Sequence, residues 1–149
     1  MIKNISNLGD AALYCDFGDE INKDINSQVI KYFRSLKGRN IEGIINLTPS
    51  YNKLIVSFDL NKINFKGIKK LIENENVNEI NENFVKKIEI PICCEDTFAL
   101  DIKRLEFKLS LKREKIYESF FEKEYFCYMT GFIAGMPFLG DLEKNLRLN

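Results

Sequence analysis

The chain of 149 residues has no histidine, no tryptophan, three prolines and no formal net charge, with 22 Lys+Arg set against 22 Asp+Glu. Without histidine, Ser-His-Asp and Cys-His nucleophile systems are excluded, and so is any His-ligated metal. The absent charge surplus argues against nucleic-acid or anionic-membrane binding, which need a basic excess. Charged residues interrupt every apolar stretch before it reaches the length of a membrane span. The opening residues, Met1-Ile2-Lys3-Asn4-Ile5, lack the apolar segment of a secretory signal. A cytoplasmic protein is expected. The four cysteines, Cys15, Cys93, Cys94 and Cys127, show no C-x-x-C spacing. In a reducing compartment they are expected as free thiols. The adjacent Cys93 and Cys94 would point to opposite faces of a strand and make poor joint ligands, so no metal site is expected.

What remains is 45% hydrophobic and 30% charged. That is enough to bury a core, in one ordinary domain or two small ones. Lysine outnumbers arginine, and asparagine and isoleucine are abundant, as in A/T-rich genomes; the bias points to a bacterial source.

Residues Ile2 to Leu8 and Ala11 to Phe17 read as two strands turning at Gly9-Asp10. Asp19 to Leu36 carries Ile21, Ile25, Val29, Tyr32, Phe33 and Leu36 at helical spacing, with Gly38 as the stop. Gly43 to Leu47 predicts a third strand, Thr48-Pro49-Ser50 a turn, and Lys53 to Asp59 a fourth, alternating strand. Asn64 is placed to cap a second helix whose stripe is Phe65, Ile68, Leu71 and Ile72. Glu73 to Asn83 reads as loop, and Phe84, Lys86, Ile88, Ile90 and Ile92 as a fifth strand. Two helices on one face of a mostly antiparallel sheet make an α+β fold.

Beyond Pro91, a helix through Phe98, Ile102, Leu105 and Leu109 is expected behind Thr97 as cap. A second, capped by Ser110, carries Ile116, Tyr117, Phe120 and Phe121, and their outer charges read as solvated faces. Tyr125 to Phe132 is strand-like and runs into the string Gly131-Phe132-Ile133-Ala134-Gly135-Met136-Pro137-Phe138-Leu139-Gly140. Glycines so spaced let the backbone turn sharply or approach a ligand closely. The string is no Walker A loop, since no Lys-Ser or Lys-Thr follows, and it lacks the G-x-G pair of a dinucleotide fingerprint. Local chemistry favours a structural loop, with Phe132 and Phe138 as core pegs.

The string is similar to the Gly-Phe-x-Pro-Gly-Phe-x-Tyr-Leu-Gly signature of the family formed by the B subunits of 5-oxoprolinase. That family is also called allophanate hydrolase subunit 1, and it includes the bacterial inhibitor of a sporulation histidine kinase. Gly9-Asp10, Ala12-Leu13 and Phe17-Gly18-Asp19 resemble the family's opening. Val29, Pro49, Tyr51, Leu54, Val56 and Asp59 follow at its spacing, and Ile90-Pro91-Ile92-Cys93 resembles its Ile-Pro-Val-x-Tyr strand, with Asp101-Ile102 after it. The signature's first proline is Ala134 here, its second phenylalanine Met136 and its tyrosine Phe138, while Phe120 stands where a histidine is common. The resemblance implies an N-terminal α+β domain over residues 1–91. After it, residues 92–149 would hold the incomplete start of a cyclophilin-like β-barrel domain: two helices, a strand and the glycine-aromatic loop. Family chains continue further, so a C-terminal truncation is expected. The pieces from Tyr125 onward should expose apolar surface or borrow a partner's strands.

The resemblance also implies a function. The chain would be the B subunit of an ATP-dependent 5-oxoprolinase of carboxyltransferase type, a hydrolase that cleaves 5-oxoproline to glutamate only together with its A and C subunits. ATP would belong to the complex, since this chain has no phosphate-binding loop, and no catalytic residue is assigned. No Ser-Ser-Lys amidase arrangement is present either. A loop lining a shared cleft would use Gly131, Phe132, Gly135, Pro137 and Gly140, the glycines supplying N–H groups and room and Phe132 an apolar wall. Two alternatives stand beside this reading: an inhibitor that docks on a histidine kinase, and a truncated remnant without function.

Overall fold

The computed structural model describes residues 1–77 and 86–148. Phe84 of the expected fifth strand and the far end of the expected loop before it lie outside the described residues. The chain is α+β: the described residues form a four-stranded antiparallel sheet, four helices and a second, two-stranded sheet. It forms two compact units, Met1–Glu82 with Tyr128–Phe138, and Asn83–Cys127 with Leu139–Asn149.

In the first unit, β1 (Asn4–Asn7) and β2 (Ala12–Asp16) form the expected hairpin, and Gly9 takes the left-handed φ of +62° that the turn demands. β4 (Lys53–Phe58) inserts between β2 and β3 (Ile44–Pro49), giving the order β1-β2-β4-β3. The register sets Leu13 opposite Val56 and Cys15 opposite Leu54, all four buried. Alternation along β4 buries Leu54, Val56 and Phe58 on one side. Against them pack Val29, Tyr32 and Leu36 of α1 (Lys23–Gly38), and Ile68 and Ile72 of α2 (Phe65–Glu73). Pro49 belongs to β3 opposite Leu54, so the turn falls after it, where the Ser50 N–H donates to the Lys53 carbonyl at 2.9 Å. A bulge between Ile44 and Asn46 leaves Ile45 exposed on the edge strand.

Asn64 caps α2 as expected, its Oδ1 accepting the Gly67 N–H at 2.9 Å. The start of α1 is corrected. Asn22 is the cap, accepting the Ile25 N–H at 2.9 Å, and Ile21 lies outside the helix and exposed. Its stop is corrected too: Gly38 is still helical, and Asn40 takes the left-handed φ of +44°. Asparagine tolerates that region because its short side chain bonds locally. Glu75, buried just past α2, accepts from the Ser35 hydroxyl and the Arg39 guanidinium, pinning the end of α2 to the end of α1.

Asp16, at the end of β2, accepts from the Lys53 ammonium and, at 2.8 Å, from the Gly18 N–H; Lys53 also donates to the Gly18 carbonyl at 2.7 Å. The bond from Lys53 is the main reason the Asp16 carboxyl sits below its usual range, outweighing its partial desolvation. A carboxyl depressed in the folded state adds stability above its unfolded pKa of about 4 and loses it as pH falls through the folded value. Asp16→Asn is therefore expected to lower stability at pH 7 and to flatten its decline below about pH 4, read as urea midpoints across pH. An unchanged slope would show that the Asp16 bonds carry no net stability.

In the second unit, α3 (Ile102–Leu109) and α4 (Arg113–Phe121) pack through Ile102 and Ile116, with Leu146 of a short 3-10 turn completing a small core. Both expected caps are corrected. Helix α3 begins at Ile102, so Thr97 and the exposed Phe98 precede it in a turn. Ser110 sits at a left-handed φ of +54° closing α3, and the Glu106 carboxylate accepts the Arg113 N–H at 2.9 Å at the start of α4. The fifth strand is corrected over residues 86–92, which lie in no strand and are exposed throughout. Alternation supplies a face, but a strand also needs a paired neighbour, and none of the described strands pairs with these residues.

Candidate functional site

The glycine-aromatic string forms the turn between β5 (Phe126–Thr130) and β6 (Pro137–Gly140), which pair as the second sheet. Residues 126–140 carry no charged side chain in a chain that is 30% charged. The turn closes on itself: the Gly131 N–H donates to the Met136 carbonyl at 3.1 Å, and the Met136 N–H to the Ile133 carbonyl at 3.2 Å. Gly135 holds φ of +80° with open space where a Cβ would stand. Phe132 holds φ of +65°, strained for an aromatic residue, and is 92% exposed. Ile133 and Met136 are exposed beside it in sequence.

The base of this hairpin is fixed within the first unit. Asn26, 2% exposed on the buried face of α1, points its Nδ2 at three carbonyls: Tyr51 at 2.9 Å, Tyr128 at 3.1 Å and Ser50 at 3.2 Å. The Ser50 hydroxyl meets the Met129 sulfur at 3.4 Å. The Tyr51 ring stands 5.8 Å from Tyr128 and 6.1 Å, edge-on, from Phe138. A rigid, hydrogen-bonded base thus carries a neutral, apolar, solvent-facing tip.

This geometry sorts the five expected site residues. Gly131, Phe132 and Gly135 share the tip, whereas Pro137 and Gly140 lie in β6. Phe138 packs against Tyr51 as a peg; Phe132 does not, because its left-handed backbone turns it outward. Sequence reasoning missed Asn26, Ser50 and Tyr51, whose contacts with the hairpin join residues far apart in the chain. The polar Asn26 within an apolar helical stripe was the one available signal.

The tip does not fit a nucleotide's phosphates. No cation lies within residues 126–140, and the Gly131 N–H is already bonded. Among the described residues, no group of three or more cysteine or carboxylate side chains is placed to hold a metal. None of the four cysteines forms a disulfide. Burial in the first core pushes the Cys15 thiol up to about 12, so it is unreactive at neutral pH. An open groove of about 250 Å³ lies elsewhere in the first unit, lined by Phe33, Leu36, Lys37, Ile41, Ile44 and Leu47, with the Lys37 ammonium 5.4 Å from the Phe33 ring centroid. It gathers no nucleophile or acid–base pair. No helix among the described residues is long and apolar enough to cross a membrane.

The sheet, the helices and the hairpin belong to a known arrangement. The chain is a member of the family described as carboxyltransferase domain, subdomain C and D, which it matches over residues 3–149. It is 29% identical over 155 residues to the B subunit of 5-oxoprolinase from Bacillus subtilis (strain 168), covering 95% of this chain and 64% of that relative. Among solved structures it resembles TTHA0988, with a TM-score of 0.79 and 22% identity over 92% of this chain and 27% of that one. It also resembles the urea carboxylase of Kluyveromyces lactis, with a TM-score of 0.62 and 16% identity over 85% of this chain and 13% of that one. These two likenesses bear on the fold alone.

Proposed function

We propose that the chain acts as the B subunit of an ATP-dependent 5-oxoprolinase, cleaving 5-oxoproline to glutamate only in company with A and C subunits. The carrying observation is its identity, along nearly its whole length, to a relative bearing that name. The inventory of side chains supports the dependence on partners. There is no histidine, and the candidate tip is an uncharged apolar projection suited to contacting a protein rather than binding ATP. In this reading ATP and the reacting groups sit on the partner subunits. The protein works in the cytoplasm.

The test is co-expression with the A and C subunits, followed by glutamate release from 5-oxoproline. ATP-dependent release that requires this chain is the expected result. A complex that forms yet stays inactive, beside an active complex built on a longer relative, would refute the reading.

Phe132 offers a sharper probe. Glycine accepts φ of +65° without strain, and removing an exposed ring leaves no cavity, so Phe132→Gly is expected to keep or slightly raise stability, by up to about 1 kcal/mol. If the tip inserts into a partner as an aromatic anchor, the same change should weaken assembly by about 2 kcal/mol, roughly thirtyfold. Titration calorimetry against the purified A and C subunits reads the second effect and thermal melting the first. Unchanged affinity would make the tip a mere turn.

A further inference from the structure

We draw no further inference here: the strongest candidate, the open apolar groove of about 250 Å³ between the end of α1 and the edge strand β3, with Lys37 at its side, carries nothing because nothing in the structure shows what covers it.

Discussion

Replacing Asn26 with leucine is expected to cost about 3–5 kcal/mol of folding stability, a large share of what a domain of this size has. Leucine has as many side-chain heavy atoms as asparagine and leaves no cavity, so the loss comes from the missing hydrogen bonds. The buried Tyr128 carbonyl and the part-buried carbonyls of Ser50 and Tyr51 would each lose the bond from Asn26. A buried unsatisfied acceptor costs about 1–3 kcal/mol, and the two partly exposed ones less each. Asn26→Asp separates geometry from donation. At neutral pH a carboxylate would face three carbonyl oxygens with no proton to offer, which raises its folded pKa well above the unfolded value. The variant should then be weakest at neutral pH and recover towards wild type as pH falls through that raised value, since a protonated acid donates one bond. Far-UV circular dichroism through a urea titration reads both, a suitable probe because the chain has no tryptophan. Asn26→Leu within about 1 kcal/mol of wild type would mean that water replaces the amide and that the hairpin base is not held by it.

Asn26 also marks where the sequence stops being readable. Helical periodicity sees only which residues share a stripe, and a polar residue in an apolar stripe is ambiguous until its partners are known. Those partners are backbone carbonyls from a turn and from a strand about a hundred residues away, and carbonyls leave no trace in side-chain pattern. By contrast, β2, β4 and α2 were legible because each buries one face only, so apolar residues recur at the period of the element. Caps divided on the same principle. Asn64 faces no competing use, whereas Ser110 is taken up by a left-handed turn and Thr97 by a turn ahead of the helix.

The candidate site was legible in composition and illegible in conformation. Spaced glycines announce a sharp turn, and the family signature locates it. Neither shows that Phe132 shares the left-handed backbone expected of its glycine neighbours, and that backbone is what turns its ring to solvent. The segment 86–92 presents the opposite case. Its strand pattern is plain, but pairing depends on an edge that local pattern does not report.

Phe58→Ala should be the most damaging single change in the core of the first unit, at about 3–5 kcal/mol. The ring is 1% exposed at the end of β4, in a core that also holds Leu13, Val29, Leu36 and Ile72, so its removal leaves a void that a sheet fixed by two neighbouring strands cannot collapse to fill. Ile102→Ala in the second unit should cost only about 1–2 kcal/mol, because a core of three buried residues has less packing to lose and more freedom to relax. Hydrogen exchange measured by mass spectrometry separates the two, since each unit reports through its own amides. Phe58→Ala is expected to accelerate exchange throughout β2, β4 and α1 while leaving α3 and α4 near their wild-type rates. Tyr128–Phe138 should follow the first unit, to which Asn26 and Tyr51 tie it. If α3 and α4 instead lost protection in step with the sheet, the two cores would unfold as one cooperative body. The small core of the second unit would then owe its order to the larger one.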